Sequence, residues 1–93
     1  MNKYEMLYIL KADIEEAARE AAIARFADIV TSNGGNVENI DKWGIKKLAY
    51  EINYKSEGYY VLMTFECDPA VIAEITRQAG ITDEMMRHLI SKL

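Results

Sequence analysis

The strongest constraint on the fold of this chain is a long β-hairpin with a helix-length segment on either side. Val37 to Ile52 reads as one extended strand, interrupted near Asp41, and Tyr59 to Glu66 as its return. Asn53-Tyr54-Lys55-Ser56-Glu57 between them has the composition of a hairpin loop. Upstream, Asn33-Gly34-Gly35 stops a helix, because glycine accepts the left-handed turn that ends helices. Downstream, Asp68-Pro69 opens a second helix, with Pro at the first position, where its missing N–H costs nothing. Gly80 marks its end. A strand-like run, Tyr4 to Leu10, precedes the first helix, and another, roughly Met85 to Ile90, follows the second.

The order β-α-β-β-α-β predicts an α+β, ferredoxin-like fold: a four-stranded antiparallel sheet with two helices on one face. The first and third strands should be central. A length of 93 residues supports one domain, residues 1–93. In the first strand Tyr4, Met6, Tyr8 and Leu10 should face the helices, and Glu5, Leu7 and Ile9 the other way. Asp13 is placed to cap the first helix, with Glu16 three residues on. Ala18, Ala22, Phe26, Ile29 and Val30 should form its buried stripe, and Ile72, Ile75 and Ala79 that of the second.

Composition narrows the function. A formal charge of −4 argues against binding nucleic acid through bulk positive charge, so any such contact must be local or shared with a basic partner. Cys67 is the single cysteine, which excludes an intrachain disulfide and a cysteine metal cage. Met1 to Glu5 leads straight into a strand with no signal-peptide layout, and no apolar run nears the roughly 20 residues of a membrane span. A cytoplasmic protein is expected.

Catalytic chemistry is not visible. His88, the single histidine, lies among apolar residues, and no serine or cysteine is paired with it by spacing. Glu15-Glu16 suits a helix amino terminus without any acid–base role, and Asp83-Glu84 is a second carboxylate pair near an element end. Asn33-Gly34-Gly35-Asn36 lacks the spacing of a phosphate loop. The chain reads as a non-enzyme without metal, cofactor or small-molecule substrate.

Two surfaces remain. The uncovered face of the sheet should present Leu7, Ile9, Trp43, Ile45, Lys47, Ala49, Tyr60 and Leu62, and an exposed apolar patch of this kind usually marks an interface. A bulge in the long strand would exchange its faces. Its apolar members are the expected partner-binding residues. Lys3, Lys42, Lys46, Lys47 and Arg87 form a basic margin. Lysines beside aromatic residues on one hairpin suit RNA, since cations attract phosphates and aromatic faces stack on bases.

Several motifs together resemble one family over nearly the whole chain, bacterial small-subunit ribosomal protein six. They are Tyr4-Glu5, Gly34-Gly35, Trp43-Gly44, Lys46-Lys47-Leu48-Ala49-Tyr50, Glu57-Gly58-Tyr59-Tyr60 and Arg87. The resemblance implies a structural role in the small subunit. It implies binding to the central domain of 16S ribosomal RNA in a heterodimer with ribosomal protein eighteen, which supplies much of the positive charge. Lys3, Lys46, Lys47 and Arg87 are the expected RNA-binding residues. Two departures stand out: Asn2 where relatives commonly carry arginine, and Ile45 where they are often basic. The chain also ends at Leu93 without the acidic tail of some relatives.

Two other classes fit more loosely. Leu7-Tyr8-Ile9-Leu10 and Glu57 to Phe65 echo the two signatures of an RNA-recognition motif, although Glu57 stands where that motif prefers a cation. A small-molecule regulatory domain would need an effector pocket, and no residue cluster points to one.

Overall fold

The computed structural model describes residues 1–52 and 55–93. Its elements are β1 (Asn2–Lys11), α1 (Glu16–Ser32), β2 (Asn36–Ile52), β3 (Lys55–Cys67), α2 (Pro69–Ile81) and β4 (Met85–Lys92). The sheet order is β2-β3-β1-β4 with every neighbouring pair antiparallel. The expected ferredoxin-like arrangement is therefore present, with β1 and β3 at the centre.

The core lies between the helices and one side of the two central strands. Tyr4, Met6, Tyr8 and Leu10 of β1 point into it, alternating as a half-buried strand must. Val61, Met63, Phe65 and Cys67 of β3 join them. From the helices come Ala22, Ile23, Phe26 and Val30, then Val71, Ile75 and Ala79. Tyr8 is wholly buried beside Phe26, yet its hydroxyl has no hydrogen-bond partner among the described residues. Burial pushes its ionisation far above the ordinary phenol value.

Local details depart from expectation. Asp13 does not cap α1; it hydrogen-bonds Lys55 at 2.6 Å, and Glu15 takes the cap position without a side-chain bond. Because the helix begins at Glu16, the buried stripe includes Ile23, and Ala18 is exposed. In α2, Val71 is buried and Ile72 only half-buried. Gly80 lies inside that helix, which ends one residue later, where the Thr82 hydroxyl donates to the Gln78 carbonyl at 2.6 Å. Of the expected hairpin loop, residues 53 and 54 lie outside the described residues, and Lys55 to Glu57 already belong to β3. β4 also runs on past Ile90 to Lys92.

Candidate functional site

The uncovered face of the sheet is built by the strand positions that alternate with the core. Leu7 of β1 lies opposite Leu62 of β3 and Leu89 of β4. Ile9 lies opposite Tyr60 and Arg87 in the same way. Leu7, Ile9, Tyr60, Arg87 and Leu89 line a shallow groove of about 230 Å³, bordered also by His88. Leu89, 63 % exposed, is an apolar member of this face that period-two counting along β4 would have found.

The long edge strand β2 changes faces part-way. Lys42 pairs with Val61 and Gly44 with Tyr60, so Trp43 is an extra residue, the mark of a β-bulge. Gly44 has φ of +87°, a left-handed conformation that costs a side-chain-bearing residue more than glycine. On the near side of the bulge, Lys42 follows Val61 toward the helices and ion-pairs with Glu20 of α1. The hydrogen bond to Glu20 raises the Lys42 ammonium above its ordinary value. Trp43 lies on the open face, its ring stacked against Tyr60 at 6.3 Å between centroids and 7° between planes.

Beyond the bulge the pairing is Ile45 with Tyr59, Lys46 with Gly58 and Lys47 with Glu57. Tyr59 belongs to the helix side: it lies opposite Leu10, and Arg19 of α1 sits 4.3 Å above its ring. Ile45 and Lys47 therefore share that side, and Lys46 occupies the open face. Leu48, beside Gly58 and Ile9, and Tyr50, which reaches Arg87, lie on the open side, and a further register shift falls between Lys47 and Ile52. The expected placement of Ile45 and Lys47 on the open face is thus corrected, because the extra residue at Trp43 shifts the alternation by one, while Ala49 lies beyond the next register shift.

The far part of β2 then leans across the sheet. The Arg87 guanidinium donates a hydrogen bond to the Tyr50 hydroxyl and lies 5.8 Å from the centre of that ring. Since β2 and β4 are opposite edges, this contact carries Tyr50 toward the groove that Arg87 lines. Ile9 is buried beneath it, next to Gly58, where a Cβ atom would stand 2.2 Å from Ile9 Cγ2. Its apolar surface is covered by the chain itself.

Charge divides the open face into two ends. Toward the amino end of β1 lie Glu5, Glu38, Asp41 and Glu66 with a single lysine, Lys3, which ion-pairs with Glu38 at 3.2 Å. Toward the hairpin lie Lys11, Lys46 and Arg87. The four cations expected to serve RNA are therefore not one patch. Lys3 sits in the acidic end, Arg87 is engaged by Tyr50, and Lys46 and Lys47 project to opposite sides of an edge strand. Among the described residues neither Lys46 nor Lys47 forms an ion pair. Tyr8 is in the core, so β1 presents no aromatic ring on the open face, and the stacking pair of an RNA-recognition motif is not assembled. No cluster of His, Cys, Asp or Glu with metal-site geometry occurs among the described residues.

Residues 3–92 match the family model for ribosomal protein S6. The chain belongs to the ribosomal protein S6 family. The small ribosomal subunit protein bS6 of Caldanaerobacter subterraneus subsp. tengcongensis is 47 % identical over 90 residues, 97 % of this chain and 95 % of that protein. The bS6 of Alkaliphilus oremlandii is 45 % identical over 93 residues, covering 100 % and 98 %. The crystal structure of 30S ribosomal protein S6 from Thermotoga maritima superposes with a TM-score of 0.93 at 27 % identity, over 99 % of this chain and 87 % of that one. The carboxy-terminal domain of the MgtC protein from Mycobacterium tuberculosis shares the fold at 10 % identity and a TM-score of 0.67. That likeness concerns architecture alone.

Membership places the chain among structural proteins of the small ribosomal subunit, working in the cytoplasm, and not among enzymes. It gives the divided open face a context. No helix is long and apolar enough to cross a membrane among the described residues.

Proposed function

We propose that the chain binds the central domain of 16S ribosomal RNA in a heterodimer with ribosomal protein eighteen. The observation that carries this reading is a chain of net charge −4 whose hairpin cations Lys46 and Lys47, without an ion pair among the described residues, stand on the edge strand. An edge lets both reach one phosphate backbone from either side through their long stems. So few cations cannot hold RNA tightly at physiological salt, since affinity there scales with the number of phosphates neutralised. A basic partner supplies the rest. Leu7, Trp43, Tyr60 and Leu62 provide the apolar and aromatic surface for it, with Ile45 reaching it only around the edge of β2 and Ala49 joining from beyond the bulge. Lys3 and Arg87 contribute to RNA binding once released from Glu38 and Tyr50.

The salt dependence of RNA binding by the heterodimer tests the cation assignment. Each lost phosphate contact should shallow the log–log slope by about 0.9, judged from duplex DNA, with sequence preference unchanged. An unchanged slope in the Lys46→Ala/Lys47→Ala variant removes these residues from the RNA contact. Loss of heterodimer formation without RNA would assign them to the protein interface instead.

A further inference from the structure

We infer that Trp43 and Asp41, where the acidic and basic ends of the open face meet, form the seat for an arginine side chain of the basic protein partner, not for an RNA base. The inference rests on the partner reading above and adds the chemistry by which that partner is recognised. Trp43 is 42 % exposed although one side of its indole is stacked on Tyr60, so the other side faces outward. Its Nε1 donates to Asp41 Oδ2 at 3.1 Å, which fixes the ring and holds a carboxylate at its margin. Lys46 Nζ of the same chain lies 6.0 Å from the ring centroid, at the outer limit of a cation–π contact. The ring thus attracts cations and is not closed off by one.

Both a nucleobase and a guanidinium can stack on an exposed indole. The surroundings choose between them. A carboxylate only accepts hydrogen bonds, and it repels the phosphates that accompany any base. Asp41 is the carboxylate held at the ring itself, Glu5, Glu38 and Glu66 with Lys3 continue the acidic end beyond it, and Lys46 marks the basic side of the ring. A guanidinium meets both demands at once: its plane lies on the indole while its N–H groups reach the carboxylate. A lysine ammonium matches the charge and not the plane.

The single tryptophan of the chain is its own reporter. The protein is titrated with tetra-arginine, tetra-lysine and an eight-nucleotide oligouridine while Trp43 emission is followed. Tetra-arginine should change the emission at concentrations at least about threefold below tetra-lysine, with oligouridine without effect in the same range. Asp41→Asn should raise the tetra-arginine midpoint by about threefold to tenfold while the circular dichroism of the fold stays the same. A response to oligouridine equal to that of tetra-arginine, or an Asp41→Asn variant that binds tetra-arginine like the parent, overturns the inference. Affinity for ribosomal protein eighteen is measured alongside. Partner binding unaltered in Asp41→Asn sinks the arginine seat and leaves the heterodimer intact; no partner binding by the parent sinks the heterodimer itself.

Discussion

The indole of Trp43 lies parallel to the phenol ring of Tyr60 because Trp43 is the extra residue of a bulge that Gly44 closes. Were Trp43 paired with Tyr60 in regular register instead, β2 would keep its alternation there, and Ile45 and Lys47 would share the open face. The bulge therefore decides which side chains of the family motif lie on the open face.

Gly44→Ala should lower stability by roughly 1–2 kcal/mol, the usual cost of a left-handed conformation for a side-chain-bearing residue. A Cβ at this position meets nothing within 4 Å, so the cost is conformational and not steric. Gly44→Asn should recover part of it, since asparagine tolerates that region better. Urea unfolding followed by near-ultraviolet circular dichroism of Trp43 checks both. Equal stability of Gly44→Ala and the parent would show that the glycine does not hold the bulge.

The alternation along β1 and β3, the glycine stop of α1 and the Asp-Pro start of α2 made the fold and its central strands readable from residues alone. Those signals are local and periodic. The bulge is not: Trp43-Gly44 looks like any strand dipeptide until the partner strand is aligned, and one inserted residue exchanges every later side chain. The same limit hid the Tyr50–Arg87 contact, which joins the two edges of the sheet across 37 residues of sequence. Asp13 follows the same pattern. Its spacing to Glu16 suits a cap, but its charge partner, Lys55, arrives from the distant hairpin.

Tyr8→Phe should leave stability unchanged or raise it by up to about 1 kcal/mol. The substitution removes a buried hydroxyl with no partner, and such a group costs roughly 1–3 kcal/mol. Phe26→Ala, by contrast, empties a wholly buried site in contact with the same ring and should cost about 3–5 kcal/mol. Urea midpoints of the two variants should move in different directions or differ widely. A large loss in Tyr8→Phe would mean that the hydroxyl is satisfied in solution.

Glu74 supplies an acid-limb prediction. Hydrogen bonds from Arg77 and Gln78 lower its carboxyl from 4.5 to about 2. A depressed folded-state value stabilises the fold above the unfolded value and loses that stabilisation as pH falls toward the folded one. The contribution should therefore be complete above about pH 4.5 and fade between there and pH 2. The group is exposed, so the effect is small. Glu74→Gln should flatten this part of the stability profile, measured as urea midpoints from pH 2 to pH 6. A profile identical to the parent would remove Glu74 from the acid response.

The dependence of RNA binding on the protein partner tests the central claim most directly. Affinity for a 16S central-domain fragment is titrated with the chain alone and then with ribosomal protein eighteen present, at one fixed salt concentration. The −4 charge and the divided open face predict weak binding alone and tight, site-specific binding with the partner. Tight and specific binding by the isolated chain, unaffected by the partner, would contradict it.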